Sequence, residues 1–349
     1  MSEQFRHDGM SAAETARRLE ASRRSVMRWA AGSAVAAGVV GLGRAVGSAA
    51  PARQDGAPYV EVLALTTLPY FIDHKAGLEF AGQQLGVPTK FVGPAEYDMN
   101  AMISTMEEVI AQKPAGLLVV GFDAVLKPSI DKAVDAGIPT VTLDGDVYDS
   151  KRQIFIGTGN VAAGQKGART LIDAIGGEGK VVIVTKVGQG NLEERIAGYK
   201  AEIEKTGGKV ELAEVLNDDS DPTKAAAAVS AALGKYPDLK GIACVEAAGG
   251  VGAATAVKEA GKAGQIVIVS MDRDDGTLNF IKDGTIHASV AQKTALMPYL
   301  GVLILHGFNQ GRVPITQDDA KAGVTPLPNM VDTGSEIITK DGVDLWFHK

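Results

Sequence analysis

From Tyr59 onward, short apolar runs alternate with longer stretches whose apolar positions recur every three to four residues. The short runs predict strands at 60–65, 89–92, 116–120, 140–143, 181–185, 210–216, 241–245, 266–269 and 288–291. The longer stretches predict helices at 72–85, 99–112, 224–233, 249–260 and 296–310, with others between the remaining strands. Local signals agree with these limits. Gly86 follows the first helix and Pro114 lies just past the second. Asp221-Pro222 opens the alanine-rich third with an N-cap acid and a proline in the first turn.

Strands that are apolar along their whole length and separated by helices belong to parallel sheets covered on both faces. The alternation runs once to about Gly159 and begins again at Asn160, with no Pro/Ser-rich linker between. A chain of 349 residues is long enough for two domains. The pattern therefore predicts an α/β protein of two similar, doubly wound parallel-sheet lobes, tightly joined.

Composition narrows the chemistry. A formal net charge of -7 argues against a protein that grips nucleic acid through bulk charge. Cys244 is the single cysteine, so no internal disulfide and no cysteine-rich zinc site can form; it is expected in a buried strand. His74, His287 and His306 are scattered, none in a metal-ligand spacing, and neither a phosphate-binding Gly-x₄-Gly-Lys loop nor a Gly-x-Ser-x-Gly elbow occurs. Gly250-Val251-Gly252, with Asp272 22 residues after Gly250, imitates a dinucleotide fingerprint, but Thr255 fills its third small position. A binding protein with no cofactor, no metal and no catalysis is expected.

The first 52 residues differ from the rest, with seven arginines against four acids. Ser22-Arg23-Arg24-Ser25-Val26-Met27-Arg28 is similar to a twin-arginine export signal, with Arg23 and Arg24 as its pair. An uncharged stretch of 15 residues from Trp29 to Gly43 follows, short for a membrane span and typical of a signal core. Ala50-Pro51-Ala52 offers small residues for cleavage, and no cysteine stands there to carry a lipid. Export to the periplasm by the twin-arginine machinery is expected, with residues 1–52 removed. The alternative is a helix-turn-helix over residues 11–26, as in transcription repressors of the LacI type. Against it, the turn Leu19-Glu20-Ala21-Ser22 lacks glycine, and the Ala/Gly stretch at 30–40 offers nothing to grip phosphate.

In open parallel sheets, ligands collect at the carboxyl ends of the strands. The residues that follow the predicted strands are Thr66 and Thr67 with Pro69-Tyr70-Phe71, then Asp144, Arg195 after a glycine loop, Glu246, Asp272 and Gln292. Carboxylates accept hydrogen bonds from neighbouring hydroxyls, and a guanidinium donates in a fork. An aromatic ring covers the C–H face of a sugar. Such a set suits a sugar or polyol. Each residue also has a plainer use: Asp144 in a turn, Arg195 on a solvated helix face, Tyr70 and Phe71 in the core, Asp272 as a helix cap, Glu246 as a solvated strand-end charge, Gln292 as a hinge support.

Several segments together resemble type I periplasmic sugar-binding proteins of the ribose-binding branch, which serve ABC transporters. They are Pro69-Tyr70-Phe71, residues 136–144, Ile156-Gly157-Thr158-Gly159-Asn160 with Ala163-Gly164, Glu194-Arg195-Ile196-Ala197-Gly198-Tyr199, residues 289–292, Asp332-Thr333-Gly334 and residues 338–341. The resemblance implies ligand contacts at Tyr70, Phe71, Asp144, Arg195, Glu246, Asp272 and Gln292. It implies three hinge crossings near Gly159, Gln292 and Gly323, hence one lobe of 58–159 plus 293–322 and another of 160–292 plus 323–349. It further implies a monomer that hands a monosaccharide or polyol to the membrane subunits of an ABC permease. Departures stand at Leu68, where ribose binders carry an asparagine, at Gly145 (an arginine), Gly121 (a polar residue), Glu246 (an asparagine) and Met271 (an aromatic). They point away from ribose toward a ligand of another shape.

Overall fold

The computed structural model describes residues 56–311 and 315–348. The expected signal peptide, with Arg23, Arg24 and the cleavage point near Ala52, and the alternative helix-turn-helix lie outside the described residues.

Among the described residues the strands form two six-stranded sheets. The first holds β1 (Tyr59–Val62), β2 (Thr89–Val92), β3 (Gly116–Val120), β4 (Thr140–Leu143) and β5 (Ile154–Gly157). The second holds β6 (Gly179–Thr185), β7 (Val210–Asn217), β8 (Leu239–Cys244), β9 (Val267–Met271) and β10 (Ala288–Gln292). The end of the chain gives each sheet one more strand. β11 (Met330–Asp332) runs parallel to β5, and β12 (Ser335–Thr339) runs antiparallel to β10. The orders are β2-β1-β3-β4-β5-β11 and β7-β6-β8-β9-β10-β12, one winding used twice.

Helices cover both faces of each sheet. They are α1 (Ile72–Leu85), α2 (Met99–Ala111), α3 (Lys127–Asp135), α4 (Asn160–Ala174), α5 (Gly190–Glu204), α6 (Pro222–Lys235), α7 (Ala247–Glu259), α8 (Asp275–Asp283) and α9 (Leu296–Gln310). Successive strand residues point to opposite faces, and each face has its own core. Leu117 and Val119 join Val60 and Val62 on one side of the first sheet, while Leu118 and Val120 join Val141 and Leu143 on the other. In the second sheet Val182, Val184, Ile242 and Cys244 face one way, and Val181, Ile183, Ala243 and Val245 the other. Two buried faces are why these strands are apolar throughout and do not alternate. The helix ends follow the sequence: Gly86 takes a left-handed φ of 67°, and Asp221 accepts from the Thr223 and Lys224 N–H groups.

The chain crosses between lobes after β5, where α4 opens the second lobe at Asn160. It crosses back after Gln292, and α9 packs Met297, Val302 and Leu305 into the first lobe's core. The third crossing falls at Thr333-Gly334, between β11 and β12, and not near Gly323. The cause is β11, which hydrogen-bonds to β5 and so extends the first lobe to Asp332. At three residues it is too short to carry a strand pattern.

In each sheet the winding reverses between the first and third strands of its lobe, β1/β3 and β6/β8. Loops leaving the carboxyl ends part company there and open a crevice.

Candidate ligand-binding site

Asp144 and Asp272 occupy equivalent places, each directly after the fourth strand of its lobe. Both take left-handed backbone angles, φ 64° and 67°. Their N–H groups bond equivalent carbonyls, Ile156 O at 3.1 Å and Val290 O at 2.9 Å. Aspartate tolerates this conformation better than most residues, at a cost of order 1 kcal/mol each. The turn directs both carboxyls inward, and they are 2% and 6% exposed. Asp272 caps no helix; Asp274 holds the start of α8 instead.

One hydrogen-bonded chain links the two carboxylates. The Tyr70 hydroxyl donates to Asp144 Oδ1 at 3.0 Å and accepts from Gln292 Nε2 at 3.1 Å. Gln292 Nε2 also donates to Asp272 Oδ1 at 2.9 Å. Arg195 Nη2 donates to Gln292 Oε1 at 2.9 Å, Nε to Asn160 Oδ1 at 3.0 Å, and Nη1 to the Val245 carbonyl at 2.9 Å. Arg195 is 2% exposed, so it lies on no solvated helix face. Close helix packing brings it there. A Cβ on Gly164 of α4 would fall 2.1 Å from the Arg195 carbonyl, and one on Gly198 of α5 would fall 2.3 Å from Val161 O. Only glycines let the two backbones touch.

These groups face a chamber of about 320 Å³ between the lobes, near the lower limit of small-molecule sites. Tyr70, Asp144, Arg195, Glu246, Asp272 and Gln292 all line it. Phe71 does not. It is 1% exposed in the first lobe's core, edge-on to Tyr70 at 5.1 Å between ring centroids. The tight turn Pro69–Phe71 sends adjacent rings to opposite duties. Phe71→Ala is therefore expected to cost about 3–5 kcal/mol in denaturant unfolding, with far less effect on affinity than changes at Tyr70.

Phe122, Leu65 and Leu68 supply the apolar wall that Phe71 does not, and Tyr97, Lys186 and Asn191 stand around the opening. Glu246 lines the chamber while its carboxylate holds α7, accepting from Ala248 N at 2.9 Å and Gly249 N at 2.7 Å.

The electrostatics are acid-rich. Burial pushes the Asp272 carboxyl up to about 7, against the pull of Arg195 and the Gln292 amide. Burial, reinforced by Asp218, also raises Glu246. Burial and then Asp144 hold the Tyr70 phenol well above its usual range, so it stays a donor. Behind the site His74 Nδ1 meets Glu61 Oε1 at 2.6 Å, both fully buried. Burial pulls His74 down, but Glu61 outweighs it and leaves it raised. Among the described residues no group of three or more His, Cys, Asp or Glu side chains is placed to hold a metal ion. Two inward carboxylates, a forked cation and a ring edge are groups whose chemistry suits hydroxyls.

Known proteins share this fold. The profile of the periplasmic binding protein domain matches residues 62–312. The chain belongs to the periplasmic binding protein family. The D-allose-binding periplasmic protein of Escherichia coli is 30% identical over 260 residues, 71% of this chain and 83% of its own length. A sugar-binding protein of a sugar ABC transporter from Bacillus halodurans superposes with a TM-score of 0.78 at 35% identity, covering 83% of this chain and all of its own. An arabinose-binding protein from Geobacillus stearothermophilus gives 0.77 at 34%, covering 84% and 99%. The family consists of transporter binding proteins, not enzymes, and this chain is one of them.

Gly121 and Gly145 answer one shared constraint. A Cβ on Gly121 would fall 2.5 Å from the Gly145 carbonyl oxygen, and a Cβ on Gly145 would fall 2.6 Å from that of Gly121. The loops after β3 and β4 lie backbone to backbone, so a larger residue at either place displaces the other. Met271 is 3% exposed in the second lobe's core and does not line the chamber.

The binding protein's lobes also meet outside the chamber. Arg273 of the second lobe reaches Asp73 on α1 through Nε at 3.0 Å and Nη2 at 2.5 Å. Its Nη1 donates to the Trp346 carbonyl at 2.5 Å. Tyr148 donates to Glu194 Oε1 at 2.6 Å, and Lys186 stands over the Tyr97 ring at 4.7 Å. These contacts exist only while the lobes are together. Arg273→Ala is expected to remove about 1–2 kcal/mol from the closed form and weaken ligand binding roughly 5- to 30-fold, measured by calorimetry. An unchanged Kd would deny Arg273 a part in closure.

Proposed function

We propose that this binding protein captures one sugar or polyol between its lobes, with Tyr70, Asp144, Arg195, Glu246, Asp272 and Gln292 as the binding set. The carrying observation is the pair of inward left-handed aspartates, one from each lobe, joined by Tyr70, Gln292 and Arg195 into one buried network. A hydroxyl reaching either carboxylate donates to a charged acceptor, and the Arg195 fork accompanies it as donor. The relatives, named for allose and arabinose, bind aldoses, which supports the class.

Ligand binds one lobe first and bridging contacts then favour closure, which the ligand can drive only by its preference for the closed form. The closed protein delivers its ligand to the membrane subunits of an ABC permease. It works as a monomer in the periplasm, reached through the twin-arginine pair Arg23-Arg24 with cleavage near Ala52.

A thermal-shift screen of pentoses, hexoses, linear polyols and inositols on residues 53–349 tests the reading. At about 100 times its Kd a ligand adds about 2.7 kcal/mol, which is roughly 4 °C in a protein of this size. If no compound moves the melting temperature, the sugar or polyol assignment falls. Sequencing the N-terminus of the exported protein tests the cleavage point.

A further inference from the structure

The cleft continues beyond the polar chamber into a second one of about 220 Å³. The two share Leu68, Tyr70, Ser220, Ala247, Ala248, Asp272 and Gln292. The second is walled by Leu68 and Pro69 from the first lobe, and by Pro222, Ala247, Ala248 and Val251 from the starts of α6 and α7. That wall is predominantly apolar. Its room has a cause in the sequence. Helix α7 opens on Ala247-Ala248-Gly249-Gly250, so no long side chain fills the space.

Several polar groups at its rim are engaged with one another. Asp73 and Arg273 hold each other by two hydrogen bonds, and Thr294 Oγ1 donates to Asp73 Oδ2 at 3.1 Å. Asp274 accepts from the Thr277 N–H and hydroxyl. His348 Nε2 faces the same Asp73 carboxylate at 3.5 Å. A ligand hydroxyl carried into this chamber leaves water for a wall that is mostly apolar, where it recovers few hydrogen bonds, which weakens binding. A methyl or methylene group there replaces water against Leu68, Ala248 and Val251, and strengthens it. Leu68 stands between the chambers, 40% exposed.

The geometry points to a ligand with two unlike ends: a hydroxylated ring or chain on Asp144 and Asp272, and an alkyl or deoxy arm against Leu68 and Val251. This rests on the sugar or polyol reading above and narrows it to alkyl glycosides and deoxy sugars.

Calorimetry with matched pairs decides it. The probes are D-galactose with D-fucose, L-mannose with L-rhamnose, and D-ribose, L-arabinose and D-xylose each with its methyl and n-butyl glycosides. Among pairs that bind, the deoxy or alkylated member is expected to bind about tenfold tighter or more. Val251→Phe, which fills the second chamber, is expected to erase that preference, and the nearly isosteric Val251→Thr to reduce it. The inference is overturned if the hydroxylated parent binds equally or more tightly in every pair that binds. In that case the sugar reading stands. If no member of any pair binds, the inference falls, while the sugar or polyol reading is decided separately by the wider thermal-shift screen.

Discussion

Arg195→Ala is expected to weaken ligand binding by about a thousandfold or more, while the protein still folds. Arg195 is the cation that the network places between two carboxylates, and it is 2% exposed. Its removal takes three hydrogen bonds at once, to Asn160, Gln292 and the Val245 carbonyl. The acceptors left behind are buried, and each costs about 1–3 kcal/mol unpaired. Gln292 then loses the bond that fixes its amide, and with it the orientation of Tyr70 and Asp272. Lysine does not restore the function, because an ammonium cannot serve three partners with a planar fork. Calorimetric titration with the ligand found by screening measures the loss, and denaturant unfolding shows separately what stability is lost. A Kd within tenfold of the parent's would contradict the role given to Arg195.

Ligand affinity and stability without ligand are expected to move in opposite directions with pH. Burial lifts the Asp272 carboxyl from 3.8 to about 7, so between those values the folded protein holds a proton that the unfolded chain has released. Stability therefore falls as the pH rises through that window and stays low above it, by on the order of 4 kcal/mol. Glu246, also raised, acts in the same sense. So does His74, whose contribution is complete below its unfolded value and lost as the pH rises through its folded one. Surface acids such as Glu107, Asp131 and Asp219 are lowered, so the stability they add is already complete above the ordinary carboxylate range and does not offset the fall from there toward pH 7.

Ligand hydroxyls donate to the ionised carboxylate and release its proton. Affinity should then rise about tenfold per pH unit from pH 5 to near 7 and level off above. Denaturant unfolding without ligand and Kd measurements at pH 5 to 8 provide the check, with Asp272→Asn expected to flatten the affinity profile. Affinity that falls across this range would place an uncharged Asp272 in the complex.

The architecture was legible because both sheets bury two faces, which writes each strand as an apolar run. The site was legible to the same extent, since the residue after a strand is fixed by the fold and not by side-chain pattern. Asp144 and Asp272 announced themselves in that way. The failures also have physical causes. Tyr70 and Phe71 are neighbours with similar rings, and only the turn at Pro69 decides which faces the chamber. Phe122, Tyr97 and Lys186 come from loops, where no period marks direction. Asn160 was visible as the start of a crossing, but its bond to Arg195 depends on the glycine contact between α4 and α5. Glu246 lines the chamber as expected, yet both its oxygens hold a helix start. The latch between Asp73 and Arg273 joins residues 200 apart in sequence and left no local trace.

A crystal structure of the protein with the tightest sugar or polyol from the screen tests most directly whether the two lobes share one ligand. Hydroxyl oxygens of a single molecule are expected within about 2.5–3.0 Å of both Asp144 and Asp272, with Arg195 donating to the same molecule. A ligand that touches neither aspartate, or that rests on one lobe while the lobes are closed, would contradict it.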